Sequence, residues 1–182
     1  LQTQPLMVDG LVYANTPGHR VIALDAATGA LAWRFDAGIA SRGPNRGVTY
    51  WSMGSEARVF ASVSTFLYAL DARTGNVEEG FGDGGRIDLR RGLGRDDAPL
   101  TVTLTSPGVV YRDLLIIGSV TGERLPAPPG DIRAYDVRTG AIRWTFRTIP
   151  APGEIGADTW PANARTESGS ANNWAGLTLD AD

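Results

Sequence analysis

The sequence predicts an all-β chain of repeated four-stranded blades, a partial β-propeller, and three observations predict it. One pattern recurs three times along the 182 residues. Apolar residues alternate with a period of two, and no segment sustains a 3.6-residue period. Turn residues fall at equivalent places in each copy.

The first copy runs Val21-Ile22-Ala23-Leu24-Asp25-Ala26-Ala27-Thr28-Gly29 and on to Trp33. The second runs Leu67-Tyr68-Ala69-Leu70-Asp71-Ala72-Arg73-Thr74-Gly75 to Glu79, and the third Ile132-Arg133-Ala134-Tyr135-Asp136-Val137-Arg138-Thr139-Gly140 to Trp144. Each reads as a hairpin. The alternating apolar residues form the incoming strand, the Asp carboxylate accepts backbone N–H bonds in the turn, and Gly supplies a positive φ. The outgoing strand then carries Trp in the first and third copies and Glu79 in the second. A further strand is expected before each hairpin, at Leu6–Ala14, Val59–Ser64 and Val109–Gly118. Four short strands per unit at this period are how a propeller blade reads. The Asp anchors lie 46 residues apart (25 to 71) and then 65 (71 to 136), and the surplus is assigned to an inserted loop at Phe81–Asp97. The arginines at positions 86, 90, 91 and 95 sit there among Asp83, Asp88, Asp96 and Asp97, so the loop is expected to be solvated and ion-paired. A strand-like segment closes the chain at Trp174–Leu179.

Blades need neighbours on both faces and ultimately a closed ring. Three blades and the start of a fourth cannot close one. The chain opens at Leu1 without a leader and stops at Asp182, so residues 1–182 are read as one incomplete domain from a longer protein.

Composition narrows the chemistry. There is no Cys, which excludes a disulfide framework, a thiolate zinc site and a Cys nucleophile. All 17 basic residues are Arg, which excludes a lysine Schiff base and a P-loop lysine. The single His, His19, lies in a Pro-Gly-His-Arg turn and is read as a loop residue without chemistry. No apolar run reaches the ~18 residues needed to span a bilayer as a helix. The evenly spread charges, net −3, offer no nucleic-acid footprint.

The Ala-x-Asp-x-x-Thr-Gly-x-x-x-Trp pattern at Ala23–Trp33 and Ala134–Trp144 resembles the tryptophan-docking repeat of pyrroloquinoline quinone (PQQ) propellers. It supports the fold, and assigns Trp33 and Trp144 to packing between blades. Asn45-Arg46-Gly47-Val48-Thr49-Tyr50-Trp51 resembles a segment of the PQQ-dependent alcohol and sugar dehydrogenases. So do Thr103-Leu104-Thr105-Ser106-Pro107 and the following Gly118-Ser119-Val120-Thr121-Gly122-Glu123. Thr148-Ile149-Pro150, Thr159-Trp160-Pro161 and Ala171-Asn172-Asn173-Trp174-Ala175-Gly176 look like the branch related to quinoprotein glucose dehydrogenase. The resemblance covers essentially the whole chain.

The resemblance implies a propeller of about eight blades that oxidises a sugar, polyol or other alcohol by hydride transfer to PQQ, with Ca²⁺ polarising the quinone and an Asp as base. It implies that Arg46 meets a PQQ carboxylate, that Trp174 is the floor under the ring, and that Thr105 and Thr121 bond its rim. Gly122 lets the backbone approach, and Glu123 is a Ca²⁺ ligand. The ring is thus expected between a guanidinium and an indole, with Trp51 and Trp160 as further candidates to line the substrate mouth. The remaining Ca²⁺ ligands and the base fall beyond Asp182, so the isolated chain is expected to be inactive. Family members work in the periplasm and pass electrons to ubiquinone or a cytochrome. Two departures stand out. Ala40 and Ser41 occupy positions where many relatives form a vicinal disulfide, which points to the sugar or polyol branch, and Gln2 stands where relatives often carry Glu. The alternative from another class is a non-catalytic repeat scaffold that binds proteins through its blade loops.

Overall fold

A computed structural model describes residues 2–94, 100–169 and 171–180. Three four-stranded antiparallel sheets follow one another along the chain, each a simple meander. Blade 1 comprises β1 (Leu6–Val8), β2 (Leu11–Asn15), β3 (Val21–Asp25) and β4 (Leu31–Phe35). Blade 2 comprises β5 (Thr49–Met53), β6 (Glu56–Val63), β7 (Phe66–Asp71) and β8 (Arg86–Asp88). Between blades 2 and 3 lies β9 (Val102–Thr103). Blade 3 begins with β10 (Val109–Tyr111) and β11 (Leu114–Ile117). It detours through β12 (Val120–Thr121), which pairs with β9, and ends with β13 (Ile132–Asp136) and β14 (Ile142–Phe146). A 3-10 turn at Ala157–Thr159 and the one-turn helix α1 (Ala164–Glu167) are the only helical pieces among the described residues.

The repeated turn forms as its chemistry requires. Asp25 Oδ1 accepts the Ala27 and Thr28 N–H groups and the Thr28 hydroxyl, and Gly29 sits at φ 73°. The Thr28 hydroxyl bond is the main reason the Asp25 carboxyl titrates below the usual carboxylate range. Asp71 and Asp136 make the equivalent turns.

Four expectations change. Leu6–Ala14 is a hairpin broken at Asp9-Gly10, where both residues adopt positive φ, as a type I′ turn demands. Val109–Gly118 breaks likewise at Arg112-Asp113, with Arg112 at φ 55°. The Phe81–Asp97 stretch supplies β8 and buries Phe81, Ile87, Leu89 and Leu93, although Arg90 does pair with Asp88 as a solvated loop would. Arg95, Asp96 and Asp97 lie outside the described residues. The length surplus is shared with a second insertion, Gly118–Asp131, between β11 and β13. Trp174–Leu179 forms no strand: the segment makes no ladder bond among the described residues, and Trp174 O instead accepts from the Ser106 hydroxyl.

Two apolar layers hold the blades together. Tyr13, Val21, Ala23 and Trp33 of blade 1 pack on Val59, Ala61, Val63, Tyr68 and Leu70 of blade 2. The opposite face of blade 2, with Trp51, Phe60, Leu67 and Ala69, packs on Leu115, Ile117, Tyr135 and Val137. The middle blade is therefore apolar on both faces, as alternation between two neighbours requires.

Trp33 is the dock the repeat predicts. Only 8% exposed, it donates Nε1–H to Ala72 O at 2.9 Å, and its ring lies so close over Gly75 that no Cβ fits there. Blade 2 lacks the equivalent Trp, and Glu79 is exposed. Phe81 and Ile87 instead cover Gly140, the counterpart of Gly75. The hydrogen bond passes to Arg58, which donates to Val137 O at 2.9 Å and Arg138 O at 2.8 Å and pairs with Glu78 at 3.0 Å. Trp144 is 41% exposed beside exposed Ile142 and Phe146, so its predicted inter-blade burial is not met. Its dock would be on a further blade, and the described residues contain none.

Candidate functional site

Four segments remote in sequence converge on one cavity of about 330 Å³, lined by Pro44, Arg46, Thr105, Val120, Thr121, Glu123, Asn172 and Trp174. Five of the six residues singled out from sequence lie in this wall.

The Asn-Arg-Gly segment explains how Arg46 is displayed. Buried Asn45 accepts from Asn15 Nδ2 and the Gly47 N–H, and donates to Ser62 O, which ties the segment to blades 1 and 2. Gly47 adopts φ 140°, and a Cβ there would meet Gln4 O at 2.9 Å. The Arg46 backbone is held on both sides, its N–H by Thr105 O and its carbonyl by the Gln4 N–H, both at 2.9 Å. Its side chain is thereby aimed at Thr105 Oγ1 (3.0 Å) and Ser106 Oγ (3.4 Å).

Trp174 is positioned by its backbone. Ser106 Oγ donates to Trp174 O at 2.7 Å. The preceding segment lies on blade 3, with Ser119 N–H donating to Asn173 O and Asn172 Nδ2 donating to Ser119 O. This approach needs Gly118 and Gly130, where a Cβ would overlap Asn173 and Asn172 respectively. We expect Gly118→Ala to displace the Ala171–Trp174 segment and destabilise by about 1–3 kcal/mol through overpacking. Chemical denaturation and the Trp174 indole NMR resonance check this; an unmoved resonance would contradict it.

The indole is 53% exposed, and the Arg46 guanidinium lies over it, 5.2 Å from the ring centroid. That spacing corrects one expectation. A flat ring between the two would need about 7 Å, two contact distances of ~3.5 Å. Arg46 and Trp174 share a cavity as predicted, but they already stack on each other.

The rest of the wall is polar. The Thr121 hydroxyl is buried without a hydrogen-bond partner among the described residues, an atom that a ligand would satisfy. Glu123 is exposed at the rim, and no group of three or more His, Cys, Asp or Glu suited to a metal occurs among the described residues. Gly122 bonds through its N–H to Thr101 O at 3.3 Å, and a Cβ there would meet only Thr101, at 3.9 Å; the tight approaches belong to Gly118 and Gly130. Asn172 and Ser106 were given no role from sequence, although both lie inside the motifs quoted above.

Other candidates fall elsewhere. Trp51 is buried, donates Nε1–H to Arg112 O at 2.8 Å and carries the Arg138 guanidinium over its ring, so it packs rather than lines the cavity. Trp160 and Gln2 are exposed and line no part of it. His19 does lie in a turn, but it is buried.

Comparison with known proteins follows the same outline. The family model described as "PQQ: glucose/ethanol/alcohol dehydrogenase, β-propeller domain" matches residues 1–182. The chain is 30% identical over 194 residues to the glycerol dehydrogenase large subunit of Gluconobacter oxydans (strain 621H), covering 98% of this chain and 26% of that protein. It is 30% identical over 207 residues to quinoprotein glucose dehydrogenase A of Acinetobacter calcoaceticus, covering 99% and 25%. Among solved structures, quinohemoprotein alcohol dehydrogenase from Comamonas testosteroni superposes with a TM-score of 0.65 at 27% identity, covering 84% of this chain and 22% of that one. The chain thus spans about a quarter of the length of these relatives.

Proposed function

The chain belongs to the PQQ-type glucose/ethanol/alcohol dehydrogenase β-propeller family, and from that premise we propose that it forms part of a quinoprotein dehydrogenase, with the 330 Å³ cavity contributing to the cofactor site. The observation that carries this reading is the convergence of Arg46, Thr105, Thr121, Glu123 and Trp174 on one wall.

The chemistry of the wall fits PQQ, a flat ortho-quinone bearing three carboxylates. Arg46 offers a planar fork to a carboxylate at the ring's edge. Trp174 presents a half-exposed aromatic face for stacking. The unpartnered Thr121 hydroxyl and the Thr105 hydroxyl supply bonds at the rim, and Gly122 adds no side chain to obstruct it. Glu123 supplies one hard oxygen for Ca²⁺, which takes six to eight oxygen ligands, so the other ligands would come from elsewhere in the full-length protein, from water or from the cofactor. When bound, PQQ supplies a quinone that takes up a hydride from an alcohol carbon. The residues of this chain bind and orient; the base would come from elsewhere in the full-length protein.

The substrate class is a sugar, polyol or other alcohol, in line with the glycerol, glucose and alcohol dehydrogenases among the relatives. Electrons would pass to ubiquinone or a cytochrome, and the full-length protein would work in the periplasm. The test is reconstitution of the full-length apoprotein with PQQ and Ca²⁺, read by cofactor binding and dye-linked dehydrogenase activity. We expect both to appear. Absence of both would favour the non-catalytic scaffold. Arg46→Ala should weaken PQQ binding tenfold or more, about 1.5–3 kcal/mol for a lost charged hydrogen bond. Unchanged affinity would remove Arg46 from the site.

A further inference from the structure

We propose that a second cavity, adjoining the first, is a subsite for the carboxylate of a hydroxylated ligand, with Arg42 as its anchor; this rests on the cofactor reading above for what occupies the larger cavity and for one of the two candidate occupants of the smaller. The second cavity holds about 180 Å³ and is walled chiefly by His19, Ser41, Arg42, Ser64, Thr103 and Thr105. Pro44 and Thr105 line both cavities, so these two side chains alone are shared by the partition.

Part of this wall is internally satisfied and therefore rigid. The Ser64 N–H donates to Ser41 Oγ at 3.1 Å. Ser41 Oγ lies 2.8 Å from His19 Nδ1, and His19 Nε2 lies 3.2 Å from Gly43 O. A carbonyl can only accept, so Nε2 carries a proton and donates to Gly43 O, while Nδ1 and the Ser41 hydroxyl share the second bond. The chain of bonds uses up His19 and Ser41 as wall rather than as ligands. Ser62 is also committed, donating to Leu104 O at 2.6 Å.

What remains open to a ligand is one cation and two hydroxyls. The Arg42 guanidinium has no carboxylate within 4.0 Å and makes no hydrogen bond among the described residues, and the Ser64 and Thr103 hydroxyls likewise make none. No Asp or Glu lines the cavity. An unpaired guanidinium presents a fork that matches a carboxylate. Neighbouring hydroxyls suit a ligand that is itself rich in hydroxyl groups. Two sources share this chemistry: a polyhydroxy acid substrate, and a carboxylate of the cofactor reaching past Pro44.

The test uses the full-length protein and its Arg42→Ala and Arg42→Lys variants. Arg42 is exposed and makes no contact that holds the fold among the described residues, and circular dichroism checks that each variant folds. Gluconate and its neutral analogue glucitol are titrated calorimetrically, and PQQ by quenching of tryptophan fluorescence. A tenfold or larger loss of gluconate affinity in Arg42→Ala, with glucitol unchanged and partial recovery in Arg42→Lys, supports the subsite with a substrate carboxylate. A loss of that size for PQQ supports it with the cofactor's carboxylate. Changes of less than twofold for both probes would overturn it. If the unsubstituted protein binds gluconate through Arg42 but takes up no PQQ, the subsite stands and the dehydrogenase reading falls.

Discussion

Trp33→Ala in the full-length protein is expected to lower stability by about 3–5 kcal/mol, the range for truncating a buried Trp. The loss has two parts. The indole fills the layer between blades 1 and 2, packed beside Tyr13 at a centroid distance of 5.9 Å, and its removal leaves a void that Gly75, lacking a side chain, cannot fill. Its Nε1–H also satisfies Ala72 O, although the Tyr13 hydroxyl donates to the same carbonyl at 3.1 Å and softens that part. The packing term therefore dominates. Urea denaturation with an unchanged m-value reads the effect. A loss below about 1 kcal/mol would mean the indole is not a dock.

Arg58→Ala should be nearly as damaging, roughly 3 kcal/mol, for a different physical reason. Arg58 is 9% exposed and bonds two carbonyls of the next blade, each a charged hydrogen bond of about 1.5–3 kcal/mol by deletion. Removing it strands Val137 O and Arg138 O between blades. Glu78 matters less, since its side chain keeps 29% exposure and can turn to water. Arg58→Lys should recover only part, because a single ammonium must replace both Nη1, which donates to the two carbonyls, and Nη2, which pairs with Glu78. Equal stability of the Lys variant and the parent would reject this geometry.

These two residues show what was legible in the sequence. Trp33 announced itself because the repeat places it at a fixed offset from Asp25. Arg58 did not, because its role is defined only across an interface: the second copy lacks a Trp, and its replacement comes from a different strand. Strand existence followed from alternation, whereas the breaks at Asp9-Gly10 and Arg112-Asp113 depended on local positive φ. Only the first of these carries a recognisable turn pair. The candidate site was legible as motifs, and those around Arg46, Thr105, Thr121 and Trp174 meet at one cavity, whereas Thr148-Ile149-Pro150 and Thr159-Trp160-Pro161 do not reach it. The stacking of Arg46 on Trp174 was not, because a motif states which residues gather and not how closely. Gly118 and Gly130 were overlooked in favour of Gly122 for the same reason: the need for a missing Cβ appears only when the distant Asn172-Asn173 backbone is laid across them.

That laying-down of Ala171–Trp174 over blade 3 has a thermodynamic corollary. The pocket wall draws on positions as far apart as 44 and 174, so an unfolded chain has nothing equivalent to offer an occupant. Mass action then makes any tight occupant a rivet: at a free concentration one hundred times its Kd it raises the unfolding free energy by about 2.7 kcal/mol. The melting temperature of the protein should accordingly climb with the logarithm of occupant concentration, even where no turnover is measured.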